Sequence, residues 1–460
     1  MSQDQERTPL LSSNDNDEEL RRQFYNRRHH HYNKKPYGLL ALIGLLFSII
    51  LFISFIPRND PDAPEEILWP RDLTKNIFAH LRAFNEIANQ STRNSRSIVD
   101  GFNASAEYVI GKINETTSCE IKKQYFKVPI WEKEKEAELN VTLDNNETII
   151  YQAANLVLQN VTEILNPCDD EDEKWEVEGK VALIKLGGKC DIWESAYKSE
   201  KSGASAVIFY NSQHKTKLSY TRVRKDNWKE GDPLMTIPVL AASYSLGQIL
   251  GNAKNINITT YTKIFTVDTF NVLCYLNKYG NKEDTIVIGS HLDSVPAGPG
   301  LVDNASGSST ILEILLYLEK HRFRSKNRLI FAWWGAEEIG LMGSAHFVRE
   351  LINTGEIDNV AMNLNFDMLG SPNYIFFILR GSDAPEDARN GSIKIQRVFE
   401  NNFHGTRKHY DISDMLRGSD FLPFIQNGIP SGIANAPLDT CYHQSCDTIE
   451  NINVEAIRVV

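Results

Sequence analysis

Two histidines and a spread of carboxylates carry the chemistry that can be read in this chain. His291 and Asp293 stand two positions apart, and Asp303 follows in a loop rich in Gly and Ser. Glu337 and Glu338 are adjacent, Asp367 closes an apolar run, and His443 lies between two cysteines. Each sits after a short apolar or Gly-rich stretch that reads as a strand end. Imidazole nitrogens and carboxylate oxygens are donors that suit divalent zinc. This set is large enough for a pair of such ions.

Taken singly, most of these residues have two readings. A metal-bound imidazole commonly gives its other N–H to a carboxylate. His291 as ligand with Asp293 as its orienter is therefore one natural assignment, and a polar pair capping a turn is the other. Asp303 is either the N-cap of the helix after it or a carboxylate bridging two metals, with glycines nearby that allow close backbone approach. Adjacent carboxylates such as Glu337 and Glu338 repel unless a cation or proton lies between them. At a solvated helix start the pair would mean little. After Phe331-Ala332-Trp333-Trp334 it means more, and neighbouring side chains diverge. Glu338 is assigned as ligand and Glu337 as general base. Asp367 is surrounded by apolar residues, where a carboxylate needs pairing or a metal. A disulfide between Cys441 and Cys446 would stiffen the loop around His443, and Tyr442 could donate to a developing oxyanion. Each residue alone is more often structural; the combination favours a metallohydrolase.

The elements needed to gather these groups alternate along the chain. Strands are expected over 270–276, 284–289, 328–334 and 360–366, with helices over 301–320 and 344–353. The strand runs are nearly all apolar, as in sheets covered on both faces. Alternation of this kind predicts an α/β fold with a mostly parallel central sheet flanked by helices. Functional groups in such sheets lie where strands end. Upstream, 70–125 reads mainly as helix, with Ile77, Leu81, Phe84 and Ile87 at three- and four-residue steps. Between the two, strands at 178–186 and 206–210 and helices at 192–202 and 243–250 suggest a smaller mixed insert.

The chain has 460 residues, enough for more than one core, and a net charge of -11. That charge argues against nucleic acid as a partner, since a phosphate-binding surface needs clustered Lys and Arg. Residues 37–56 form an uncharged apolar run long enough for a transmembrane helix. Arginines and lysines precede it and acidic residues follow, so the positive-inside rule predicts a signal-anchor and a single-pass type II membrane protein with its bulk in a lumen. The tail 1–36 reads as disordered and cytosolic. Its Leu10-Leu11 pair, after Glu6, resembles a signal read by adaptor proteins that deliver cargo to vacuoles or lysosomes. Sequons beyond the run fit a glycosylated lumen surface, although Asn304 should stay bare if it lies in the site. Cys119 and Cys274 read as free, because nothing local pairs them.

The strings His291-Leu292-Asp293-Ser294, Gly298 through Gly307, Trp334 through Ser344, Asn365-Phe366-Asp367-Met368, Ser419-Asp420 and Tyr442-His443 through Asp447-Thr448 closely resemble the two-zinc aminopeptidase family that includes aminopeptidase Y and bacterial leucyl aminopeptidases. Gly179 through Ile184, with Cys190 and the stretch from Lys198 to Asn211, resembles the protease-associated domain. The resemblance implies a zinc exopeptidase fold over 68–130 and 261–460, with the insert at 131–260. It implies two Zn2+ ions, one held by His291 and Asp367, the other by Glu338 and His443, with Asp303 bridging. Glu337 would then move the proton, and Glu337 and Asp367 would receive the free amine of peptide substrates. The expected function is removal of N-terminal residues from peptides in a vacuole-like lumen. A carboxypeptidase should carry a basic pocket, which the catalytic loops lack. A glutaminyl cyclase of this type uses one zinc. A non-catalytic receptor-like relative typically loses ligands, and all five are present here.

Overall fold

The computed structural model describes residues 72–143, 148–151, 157–159, 161–164, 176–187, 190–213, 224–225, 228–276, 281–406, 408–414 and 418–459. The chain opens with α1 (Asp72–Gln90) and α2 (Phe102–Thr116), then β1 (Glu120–Leu143), β2 (Thr148–Tyr151), β3 (Val157–Gln159) and β4 (Val161–Ile164). It continues with β5 (Val181–Lys185), α3 (Ile192–Lys201), β6 (Ala206–Tyr210), β7 (Val239–Ala242), α4 (Tyr244–Gly251), β8 (Ala253–Leu276) and β9 (Asn281–His291). Then come α5 (Ser306–Lys320), β10 (Asn327–Trp334), α6 (Met342–Thr354), β11 (Val360–Asn365), β12 (Phe376–Leu379) and α7 (Glu386–Thr406). The last elements are β13 (Tyr410–Ser413), α8 (Leu422–Ile425), β14 (Ser431–Asn435) and α9 (Val454–Val459).

The chain divides into two compact units. One is formed by Trp131–Lys225 and Pro233–Lys263. Its four-stranded sheet has the order β4-β5-β6-β7, and every pair is parallel. Asp191 caps α3 by accepting the Glu194 N–H at 2.7 Å, and Ser243 caps α4 in the same way at 3.2 Å. The alternate residues of β5 and β6 pack into two separate apolar clusters, so both faces of this sheet are covered.

The other unit is built on strands in the order β13-β12-β14-β11-β9-β10-β8-β1. The sheet is mixed, with the expected parallel strands at its centre. Its centre, β14-β11-β9-β10, is parallel, but β8 runs antiparallel to β10 and β12 antiparallel to β14. Val272, Ile286, Ile288, Leu329, Phe331 and Trp333 belong to the apolar cluster on one face. Leu273, Val287, Ile330, Ala332 and Trp334 belong to the cluster on the other. Burial on both faces explains why these strands read as unbroken apolar runs. Helices α1 and α2 present Ile77, Leu81 and Phe84, then Phe102, Ala106, Val109 and Ile113, to the first cluster at helical spacing.

Cys119 and Cys274, expected to be free, form a disulfide across 155 residues of sequence. They stand just before β1 and late in β8, strands adjacent in the sheet but far apart in sequence. Cys441 and Cys446 are also bonded.

The expected membrane helix is corrected as well. No helix among the described residues is long and apolar enough to cross a membrane. A span needs roughly twenty predominantly apolar residues. The two longest described helices carry several charges each: Asp72, Lys75, Arg82 and Glu86 in α1, and Glu386, Asp387, Arg389, Lys394, Arg397 and Glu400 in α7. Residues 37–56, like the Leu10-Leu11 motif, lie outside the described residues. The fold is α/β without a described membrane-spanning element. The signal-anchor, the membrane partner and the type II placement in a vacuolar lumen find no support among the described residues.

One close approach tests this packing. A Cβ on Gly289 of β9 would meet the Trp334 indole nitrogen and lie 2.9 Å from its Cε2. Gly289→Ala is expected to destabilise the protein by about 1–3 kcal/mol, the usual cost of overpacking. A lowered denaturant midpoint with unchanged slope would show it.

Candidate metal centre

The sheet delivers most of the donors from strand ends. His291 is the last residue of β9 and pairs in register with Trp334, the last of β10. Glu337 and Glu338 follow β10, and Asp367 follows β11. Asp303 lies in the turn before α5, and His443 lies in the small loop closed by Cys441–Cys446. Ala336, Met368 and His443 have φ of 63°, 54° and 57°, a left-handed conformation uncommon for residues with a Cβ. Such conformations gather at functional sites when surrounding structure over-determines them.

These side chains converge around Asp303. Its Oδ1 lies 3.1 Å from His291 Nε2, and that nitrogen is 3.4 Å from Asp367 Oδ1. Its Oδ2 lies 3.2 Å from His443 Nε2, which is 3.0 Å from Glu338 Oε2. The carboxylate therefore turns one oxygen toward each of two His–carboxylate pairs. Ligand atoms of His291, Asp303 and Glu338 all lie within 4.8 Å of one another, a metal-binding group. Glu338 Oε1, Asp367 Oδ1 and His443 Nε2 are buried without hydrogen-bond partners. Orphaned buried donors of this chemistry suit a divalent cation such as zinc.

Neighbouring groups fix the donors. The His291 ring nitrogen Nδ1 lies 3.1 Å from the Asp293 carbonyl. A carbonyl only accepts, so Nδ1 carries the proton and Nε2 is left toward Asp303. The Asp293 carboxylate, expected to orient His291, accepts the N–H groups of Glu337 at 3.1 Å and Glu338 at 3.3 Å, and comes only within 3.8 Å of the ring. Ser419 donates to Asp367 Oδ2 at 2.6 Å and accepts from Asn365 at 2.7 Å. Asp447 accepts the N–H groups of Val302 at 2.8 Å and Asp303 at 3.1 Å. Asn304, fully buried, donates to Ser290 Oγ and the Phe366 carbonyl and accepts from Gly307 and Met368. It has no free amide end for a glycan. Asn271 accepts from Gly335 at 3.0 Å and donates to the Gly343 carbonyl, bracketing the Glu337-Glu338 loop. Nothing in the residue types of Ser419, Asp447 and Asn271 marks them as supports of the site. Each acts through backbone amides or another side chain, a role that residue type alone does not signal.

The electrostatics are those of crowded carboxylates. Burial lowers the imidazole pKa values, but the carboxylates outweigh it. Asp367 and Glu337 hold His291 well above its usual value, and Glu338 and Asp303 push His443 up to about 11. Burial raises Glu338 to about 7, with Asp303 adding and His443 opposing. Burial raises Glu337 well above a normal carboxylate, with His291 opposing and Asp420, Glu338 and Asp367 adding. Asp420 and Asp447 are each raised to about 7, chiefly by burial. Asp303 is held low: burial would raise it, and the two imidazoles win. Tyr442 stacks on His443 with ring centroids 3.7 Å apart. Burial and the surrounding carboxylates raise its phenol, which stays protonated.

Without a cation, the surrounding carboxylates favour protons on the imidazole Nε2 atoms that would bind it. Metal uptake should displace them, so affinity should fall about tenfold per pH unit for each proton displaced as the solution is acidified. Calorimetric titration of zinc in buffers of differing ionisation enthalpy measures the protons released. A pH-independent affinity would contradict this picture.

The profile of Peptidase family M28 matches residues 271–460, and that of the PA domain matches 152–250. The chain is 30% identical over 347 residues to a probable leucine aminopeptidase 2 of Aspergillus oryzae, covering 68% of this chain and 67% of that protein. It is 29% identical over 435 residues to an aminopeptidase of Pseudomonas aeruginosa, covering 85% of this chain and 79% of that one. In structure it is similar to an aminopeptidase from Aneurinibacillus sp. strain AM-1, with TM-score 0.64 and 22% identity over 84% of this chain and 92% of that one. Together with the geometry, these matches place the chain in peptidase family M28, as an aminopeptidase-type member that carries a PA domain ahead of the metal centre.

Proposed function

We propose that this metal-dependent aminopeptidase hydrolyses N-terminal residues from peptides with two zinc ions bridged by Asp303. His291 and Asp367 would hold one ion, and Glu338 and His443 the other. The observation that supports this most is the division of the Asp303 carboxylate, with one oxygen facing each His–carboxylate pair at 3.1 and 3.2 Å. Zinc held by these donors would supply Lewis acidity toward a peptide carbonyl and would lower the pKa of water.

The protein's own groups have separate tasks. Glu337, partly buried beside Glu338, acts as general base: it takes a proton from the attacking water and returns it to the leaving amine. Burial holds its pKa well above that of an ordinary carboxylate, which suits a group that must hold a proton between the two steps. Tyr442, kept as a neutral phenol, donates a hydrogen bond to the oxyanion that develops on the scissile carbonyl. Asp293 orients the Glu337-Glu338 backbone through its two amide contacts. Glu337 and Asp367, whose Oδ1 accepts no hydrogen bond, receive the substrate's ammonium group.

Two measurements check this reading. Glu337→Gln is expected to retain its zinc content while kcat falls by about 10²–10⁴-fold, the range of general acid–base catalysis. Unchanged kcat would remove Glu337 as the base. A free-amine peptide should be cleaved and its N-acetylated twin left intact, because acetylation removes the charge that the carboxylates bind. Equal cleavage of the two would exclude an aminopeptidase.

A further inference from the structure

Arg96 is completely buried in the turn between α1 and α2, far upstream of the donor residues. Its guanidinium donates from Nη1 to the Leu292 carbonyl at 2.5 Å, from Nε to the Pro299 carbonyl at 2.8 Å and from Nη2 to the Gly300 carbonyl at 2.6 Å. Its backbone N–H donates to Ser294 Oγ at 2.9 Å, and its carbonyl accepts from the Ser294 N–H at 3.4 Å. Ser294 Oγ also reaches the Gly298 carbonyl at 2.9 Å. The Phe84 ring lies 5.3 Å from the guanidinium carbon. These contacts fall on two loops. Residues 292–294 directly follow His291, and residues 298–300 lead into Asp303.

Filling space does not explain this residue. Burying a guanidinium against neutral carbonyls carries a desolvation cost that an apolar side chain would avoid. The fork does what an apolar side chain cannot, satisfying three carbonyls of irregular backbone in one rigid plane. The loop is also shaped around it. A Cβ on Gly300, at φ +66°, would lie 2.5 Å from Ser294 Cβ and 3.2 Å from Arg96 Nη2, and one on Gly101 would lie 3.2 Å from Arg96 Cα. Burial lowers the guanidinium pKa to about 10, with Asp447, Asp293, Asp303 and Glu338 opposing. Arg96 therefore remains a cation at neutral pH, in the field of the site's own carboxylates.

We propose that Arg96 is a positioning residue of the metal centre: its guanidinium fixes the 292–294 and 298–300 loops so that His291 and the two oxygens of Asp303 are held ready for metal. The proposal rests on the bridged-metal reading above. Arg96 reaches the donors only through loop backbone and has no role with substrate. Its loss should therefore appear in metal affinity and turnover rather than in KM.

The test compares the full chain with Arg96→Lys, which keeps the charge and loses the fork, and with Ser294→Ala, which loosens the same loop more mildly. Zinc affinity is measured by competition with a chromophoric chelator, Tm with and without zinc, and kcat and KM on a free-amine peptide at saturating zinc. Arg96→Lys should bind zinc roughly 10–100-fold more weakly, as for other groups that orient metal ligands. Its kcat should fall by about tenfold or more, its KM should stay within about threefold, and its zinc-induced rise in Tm should shrink. Ser294→Ala should move the same quantities in the same direction by less, and it decides the matter if Arg96→Lys does not fold. Wild-type zinc affinity and kcat, with Tm lowered equally in the presence and absence of zinc, would overturn the proposal and leave Arg96 merely structural. A wild-type protein that binds no zinc, or stays active after chelation, would overturn the two-metal reading and this proposal with it.

Discussion

Buried carboxylates repel one another, and the catalytic unit is organised around that repulsion. Asp293, Asp303, Asp367, Asp420 and Asp447 are all buried, and Glu337 and Glu338 stand beside them. Burial penalises a charged carboxylate, and Glu337, Glu338, Asp420 and Asp447 are raised chiefly by it. The protein answers with the two imidazoles, with the guanidinium of Arg96 and with backbone N–H groups aimed at Asp293 and Asp447. What these leave unmet is found on Glu338, Asp367 and His443, the atoms where a divalent cation would bind.

The sheet makes such a concentration of charge possible. β9 lies between β10 and β11, and all three run parallel, so their ends come out together. The polar groups follow the last sheet residues, while the strands themselves are clamped by apolar clusters on both faces. Rigid strands thus hold polar loops at one edge of a dry core. Asp293 links the exits of β9 and β10, and Asn304 links the Asp303 turn to the end of β11. The donors belong to separate loops, but these side chains make the loops one framework.

Much of this is legible in the chain itself. Two-sided burial wrote β9, β10 and β11 as apolar runs, and the chemistry of carboxylates and imidazoles picked out His291, Asp303, Glu338, Asp367 and His443. The short strands β12, β13 and β14 and the polar helix α7 gave weaker signals. They take their stability from neighbours, such as Ile395 and Phe399 of α7 against the main core, rather than from a strong local pattern. The antiparallel neighbours β8 and β12 were not legible, because an apolar run reports burial and carries no information on strand direction.

The amino-acid sequence by itself determined which groups could bind metal and which segments had to be buried, because side-chain chemistry and hydrophobic period are local properties. Only the tertiary structure decided how the groups meet. It joined Cys119 to Cys274, gave the Asp293 carboxylate to two backbone amides, divided Asp303 between two histidines and set Arg96 beneath their loops. Those contacts join residues distant along the chain, and their partners are backbone atoms or paired oxygens that look the same at every position until the fold brings one of them within reach.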